Sequence, residues 1–128
     1  MRASKKKADE LFSLAIRTTL RCENSACRSN QRGVLTPAHI INRWHDNVRC
    51  DTRNAFCLCF ECHRYFEDNP YKFNEFISES WAQKYLPILI KKSNKTMGQK
   101  IDWSERIEFL TDIVVGLKTL KQARLEEI

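Results

Sequence analysis

Residues 57–63 read CLCFECH, three cysteines and a histidine in seven positions. Thiolates and imidazoles are ligands for zinc, and an imidazole also exchanges protons near neutral pH. One short stretch therefore holds groups suited to two kinds of chemistry. Upstream, Cys22 and Cys27 form a C-x4-C pair, and Cys59 and Cys62 form a C-x2-C pair. Zinc favours four ligands in a tetrahedron, and each short loop brings two sulfurs to one ion. Cys22, Cys27, Cys59 and Cys62 are thus expected to hold a structural Zn2+. Four thiolates leave that ion a net charge of about −2 and no open position, which makes it a staple and not a Lewis acid. A Cys3His set that recruits His63 is the competing arrangement. Cys57 also competes, because C-x-C pairs chelate, but it is assigned to the core as a small hydrophobe. Cys50 has no close cysteine or histidine partner at ligand spacing and is read as structural or incidental.

With the zinc satisfied by sulfur, His63 is left over at the start of an expected helix. His39 lies in the strand-like AHII, and Asn54 precedes the second knuckle in RNAFCLC. The order His, Asn, His between two knuckles, with PAHIINRWH and RNAFCLCFECHRYF around it, resembles the HNH endonucleases of ββα-metal (His-Me finger) fold. The resemblance covers about residues 20–78. It is nearest to small phage-encoded HNH proteins of recombination or genome processing, and the zinc staple is similar to that of endonuclease VII-type junction resolvases.

The resemblance implies an α+β fold: a ββα-metal core with a tetrathiolate zinc, flanked by N- and C-terminal helices. It implies a hydrolase that cuts DNA with a divalent ion, Mg2+ or Mn2+. His39 would be the general base for the attacking water, Asn54 would pin the loop after the first strand, and His63 would bind the catalytic ion. Glu67, four residues on and so on the same helical face, is a further candidate ligand. Arg43, Arg53 and Arg64 are the first choices for phosphate contacts. The position before the base, often a metal ligand in this family, is Ala38 and has no donor atom. Glu67, His45, Asp46 and Asp51 are the candidates to make up the difference, along with water and substrate oxygens. A degenerate site would leave a noncatalytic, zinc-stabilised nucleic-acid-binding module, and a protein-interaction module built on the helical tail is a third reading.

Several elements must position these groups. Residues 5–21 read as an amphipathic helix with Leu11, Phe12, Ala15, Ile16 and Leu20 on its apolar face. The segment 22–62 lacks helical periodicity; Val34-Leu35 and Ala38–Ile41 are expected to pair as a short hairpin, with turns at Ser29-Asn30 and Arg32-Gly33. Residues 44–53 read as a loop. Within it Trp44 either packs underneath, the commoner fate of a tryptophan, or stacks on a base. A helix is expected to start near Cys62 and stop before Asn69-Pro70. Pro70 then opens another, capped by Asp68 or Asn69, with Phe73, Phe76, Ile77 and Trp81 facing inward. Pro87 breaks the pattern, residues 93–95 look like a linker, and Asp102-x-x-Glu105 opens a last helix carrying Leu110, Ile113, Val114, Leu117 and Leu120. Gly116 inside it would cost about 1 kcal/mol. The organisation is thus a nuclease domain over 1–92, then a linker and C-terminal helix over 93–128. That helix either folds back on the first or pairs with a second copy in a homodimer.

The totals fit this picture. The 128 residues include 22 Lys and Arg against 16 Asp and Glu, a formal charge of +6, and 42% of residues are hydrophobic. The charge suits a polyanion such as DNA. No apolar run is long enough to span a membrane, and MRASKKKADELF has no apolar segment of secretory type behind it. The expected place is the cytoplasm, of the host if the chain is phage-encoded. Six cysteines in a reducing compartment point to metal and not to disulfides.

Overall fold

The computed structural model describes residues 4–27, 34–95 and 100–127. The turns expected at residues 29–33 lie outside them, as do Arg28 and Arg32. Ser4 caps helix α1 (Lys5–Ile16) by accepting the Lys7 N–H. Ala8, Leu11, Phe12, Ala15 and Ile16 repeat at three- and four-residue steps, and all are buried on one face. The helix stops at Ile16, short of the expected residue 21. A 3-10 turn over Arg17–Thr19 follows, and Leu20 swings into the left-handed region at φ 62. Leu20 is exposed there and takes no part in the core.

Strand β1 (Leu35–His39) pairs antiparallel with β2 (Ala55–Cys59), Leu35 opposite Cys59 and His39 opposite Ala55. The hairpin expected within residues 34–41 does not form. Those residues make one strand and its exit, and the partner comes from beyond a long excursion. Pro37 is tolerated because each strand of a two-stranded sheet has a free edge. The excursion, expected as loop, contains one turn of helix α2 (Asp46–Arg49) and a 3-10 turn over Thr52–Asn54.

Every residue of β2 is buried, so its run AFCLC reads as a strand covered on both sides. Ala55 and Cys57 join the α1 cluster, whereas Phe56 and Leu58 face an aromatic cluster on the other side. Strand alternation alone would place Cys59 beside Cys57. Cys59 is instead the cap of helix α3 (Phe60–Asp68), and its sulfur belongs to the second cluster. The turn into α3 is what parts the zinc-type cysteine from the core cysteine.

Helix α4 (Pro70–Ser78) has Pro70 in its first turn. Asn69 occupies the cap position, but its side chain bonds back to the Tyr65 carbonyl. A 3-10 turn over Trp81–Tyr85 leads to α5 (Leu86–Ser93), which Pro87 opens and does not interrupt. Phe56 lies edge-on to Phe76 at 4.7 Å and to Trp81 at 5.1 Å, and Phe66 stacks on Phe76 at 4.9 Å. This aromatic layer carries α3 against the sheet.

Asp102 caps helix α6 (Trp103–Val114) by accepting the Glu105 N–H. The expected continuous helix through Leu120 is broken at Gly116. That residue has φ 85, its N–H bonds the Ile113 carbonyl, and the Leu117 N–H bonds the Asp112 carbonyl. This is a Schellman stop, so Gly116 ends the helix and does not weaken its middle. Helix α7 (Leu120–Glu126) restarts behind a Thr119/Gln122 capping box. Leu110, Ile113, Leu120 and Ala123 pack on α1, so the C-terminal segment folds back onto the first helix. Of the stripe invoked for a homodimer, Leu110, Ile113 and Leu120 are buried within the chain, whereas Leu117 is exposed. The result is a mostly helical α+β fold whose two-stranded sheet lies between α1/α6/α7 on one side and α3/α4 on the other. No helix among the described residues is long and apolar enough to cross a membrane.

Candidate metal and base sites

The Sγ atoms of Cys22, Cys27, Cys59 and Cys62 lie within 4.8 Å of one another. Cys27 and Cys59 are 3.6 Å apart, far beyond the roughly 2.05 Å of a disulfide. A tetrahedron with Zn–S bonds of about 2.3 Å has edges of about 3.8 Å, so the four sulfurs could bind a structural Zn2+. The surroundings suit thiolates. Asn24 Nδ2 donates to Cys62 Sγ and the Cys62 N–H to Cys59 Sγ, each at 3.4 Å. Burial pushes the Cys22 and Cys62 thiols up from their ordinary value, which raises the need for a cation to hold them ionised. Between the first two ligands, Glu23 ties the knuckle down. Its carboxylate accepts the Cys57 N–H at 2.6 Å and Trp81 Nε1–H at 3.0 Å. His63 is not among the clustered ligands, so the Cys3His arrangement gives way to four sulfurs.

His39 ends β1. Its Nε2 lies 2.9 Å from the Arg49 carbonyl oxygen, and its ring stacks on Phe12 with centroids 5.2 Å apart. A carbonyl only accepts, so Nε2 carries the hydrogen and Nδ1 keeps its lone pair. Burial pushes the imidazole below its ordinary value of 6.5, with Arg49 and Arg43 adding to the effect. The neutral form therefore dominates at neutral pH. The loop that supplies the carbonyl is held by Asn54, which is fully buried. Asn54 Oδ1 accepts the Ile41 N–H at 2.7 Å, while Nδ2 donates to the carbonyls of Ile41 at 2.9 Å and Val48 at 3.0 Å. Its own carbonyl accepts the Ile40 N–H. The turn carrying Asn54 is clamped in its own right. Glu127 accepts from the Thr52 N–H and hydroxyl, Arg106 grips Glu127, and Arg124 donates to the Thr52 and Ala55 carbonyls.

His63 sits in the first turn of α3, beside β1. Thr36 Oγ1 bonds both the Leu58 carbonyl and His63 Nδ1 at 2.9 Å. The single hydroxyl hydrogen goes to the carbonyl, so His63 Nδ1 donates and Nε2 is left as the acceptor. Nε2 lies 3.2 Å from Glu67 Oε1. The two groups thus share one face of α3 at i and i+4. Adjacent ligands on an octahedral ion with bonds of about 2.1 Å are about 3 Å apart, so the pair has the spacing of a two-ligand edge. An open recess of about 300 Å³ is lined by Phe60, His63, Arg64, Glu67 and Asp68. Ala38 is buried among Phe56 and Phe66 and offers nothing to it. No described hydrogen bond or ring contact joins His39 to His63. Thr36 and Ala38 face α3, and His39 faces α1.

The remaining candidates divide. Arg43 and Arg64 are exposed and remain able to meet phosphate. Arg53 is corrected: it is 3% exposed and bound through Nε and Nη2 to Asp51, so a phosphate cannot reach it. Asp51 also accepts from Lys92; that pairing removes Asp51 from the candidate metal ligands. Asp46 pairs with Lys5, and His45 is exposed. Trp44 does not pack underneath its loop and is 83% exposed. Sequence reading missed Thr36, Arg49 and Phe12, the groups that set both tautomers and cover one side of His39. Arg49 acts through its carbonyl, which no side-chain pattern announces.

No protein-family model, curated protein or solved structure matches this chain.

Proposed function

We propose that this protein is a metal-dependent endonuclease of HNH type that hydrolyses DNA phosphodiester bonds. The unit β1–β2–α3 is read as its ββα-metal core. The observation that carries the reading is the state of His39: a half-buried, neutral imidazole whose Nε2–H is committed to the Arg49 carbonyl. Its Nδ1 is the lone pair a general base needs, and it takes the proton of the attacking water. The Arg49 carbonyl stabilises the imidazolium that results. Asn54 fixes the loop so that this carbonyl stays in place, and acts as a positioning residue. His63 Nε2 and Glu67 would hold the catalytic ion, with Thr36 orienting the ring. When bound there, Mg2+ or Mn2+ would supply charge neutralisation at the phosphate and at the leaving 3′-oxygen. Arg43 and Arg64 contact neighbouring phosphates. The products are a 5′-phosphate and a 3′-hydroxyl.

The test is nicking of supercoiled plasmid with Mg2+ or Mn2+. Wild-type protein is expected to nick, and His39→Ala to lose the activity with fold and zinc content retained. Equal cleavage by both proteins would sink the assignment. A second reading, a noncatalytic nucleic-acid-binding module, is favoured by Ala38 and by the exposure of Glu67, whose side chain is 69% accessible. That reading predicts DNA binding without cleavage under every divalent ion.

A further inference from the structure

We infer that Trp44 is a stacking platform for an unpaired nucleobase, which makes single-stranded or locally opened DNA the preferred substrate class. The inference rests on the nuclease reading above and extends it to the shape of the DNA.

A tryptophan that is 83% exposed leaves a large apolar ring in water. Such a ring on a loose loop would mean little, but this loop is held at many points. Asn54 fixes its entry at Ile41 and its far end at Val48. Asn42 Oδ1 accepts the Trp44 N–H at 2.9 Å, and the Asn42 carbonyl accepts the His45 N–H at 3.1 Å. Arg49 Nη1 donates to the Arg43 carbonyl, while the rest of its guanidinium pairs with Asp9. Backbone groups of the loop are tied inward, and the side chains of Arg43, Trp44 and His45 are turned to solvent. The indole is thus presented on a braced support, and stacking on it costs little ordering of the loop.

The surroundings select the partner. Arg49 donates to the Arg43 carbonyl and through its own carbonyl bonds His39 Nε2, so Arg43 and Trp44 sit on the loop that positions the proposed base. An exposed cation one residue before an exposed aromatic ring suits one nucleotide, with phosphate on the guanidinium and base on the ring. A base inside an intact duplex has both faces covered, so the platform acts only on a base that is already out of the stack.

The experiment measures binding of the full-length, zinc-loaded protein to labelled oligonucleotides by fluorescence anisotropy, without Mg2+ or Mn2+, so that hydrolysis does not enter. The panel holds a single strand, a perfect duplex and a duplex with one unpaired nucleotide. Trp44→Ala is expected to weaken binding to the single strand and the unpaired-base duplex about five- to one-hundred-fold. Trp44→Phe should keep most of the affinity, and the perfect duplex should change less than about twofold. Unchanged affinity across the panel overturns the inference and assigns the exposed ring to another partner, such as a protein. An equal loss on all three oligonucleotides overturns it as well, since that reports general charge or loop damage. Plasmid nicking by wild-type protein is read separately. Nicking without a Trp44 effect leaves the nuclease and removes the platform, and a Trp44 effect without nicking does the reverse.

Discussion

Removing the Asn54 side chain tests the mechanical claim beneath the proposed chemistry. Asn54→Ala deletes three hydrogen bonds, to the Ile41 N–H and to the carbonyls of Ile41 and Val48. A net hydrogen bond contributes about 1 kcal/mol, and a buried group left without its partner costs at least that much. Three such losses come to about 3 kcal/mol, a large part of the stability of a domain this size. Urea unfolding followed by circular dichroism reads the total, and hydrogen exchange at the Ile41 amide reads the local effect. Asn54→Asp separates hydrogen bonding from shape. One carboxylate oxygen still accepts the Ile41 N–H, but the other faces two carbonyls and repels them. Protonation supplies a donor toward one carbonyl, so the introduced carboxyl has a folded-state pKa raised above its unfolded value. Its contribution is then present below the unfolded pKa and lost as pH rises through the folded one. The variant should sit closest to wild type in acid and fall furthest behind above neutrality. A loss under about 1 kcal/mol for Asn54→Ala, or no pH trend for Asn54→Asp, would refute the claim that this amide holds the loop.

Other predictions follow from the buried charges, the sulfur cluster and His39. The cleavage rate should hold below pH 6.5 before falling, because burial keeps His39 neutral there; an acid limb above 6.5 refutes this, and an NMR titration of the ring checks it directly. Since the folded pKa is depressed, the stability linked to neutral His39 is full above the unfolded value and declines as pH falls through the folded one. Cys27→Ser should reduce bound zinc, measured by metal analysis, and lower the melting temperature; full zinc retention would place the ion elsewhere. Burial alone would push Asp51 up, but the hydrogen bonds and charges of Arg53 and Lys92 outweigh it and hold it below the ordinary value. Asp51→Asn should therefore cost about 3–5 kcal/mol at neutral pH, and the difference from wild type should shrink in acid as the native carboxylate protonates.

Much of this was legible wherever local chemistry decides the outcome. The two knuckles, the start of α4 at Pro70, the Asp102 cap and the Phe73/Phe76 face follow from ligand spacing, proline geometry and helical period. What stayed hidden depended on long-range pairing or on backbone groups. β1 could not be matched with residues 55–59 by alternation alone, because β2 is buried on both faces and shows no alternation. Gly116 was read as a weak point in a helix because its left-handed φ is not visible in the apolar stripe around it. Arg53 carries the charge of a phosphate ligand, yet two residues before it Asp51 offers a closer and fully buried partner. Trp44 defied the usual fate of its residue type because Asn54, Asn42 and Arg49 hold its loop without help from the indole.

The placement of Cys62 and His63 next to each other raises the question of how a zinc on the four sulfurs would help the proposed catalytic ion. Successive residues on a helix point about 100° apart, so one turn of α3 can aim a sulfur at the knuckle and an imidazole at Thr36. A tetrathiolate zinc carries net negative charge and polarises nothing, which leaves mechanical work as its contribution. By joining residues 22–27 to the start of α3, a bound zinc would fix the helix end that carries His63, while Thr36 sets the ring from β1. His39 is positioned by a separate apparatus, Asn54 and the Arg49 carbonyl, with Phe12 of α1 behind it. Loss of zinc should accordingly loosen the His63 side of the site and leave the His39 side in register. Hydrogen exchange would then rise at residues 59–63 and stay protected at Ile41, and equal deprotection of both would mean that the sulfur cluster holds up the whole fold.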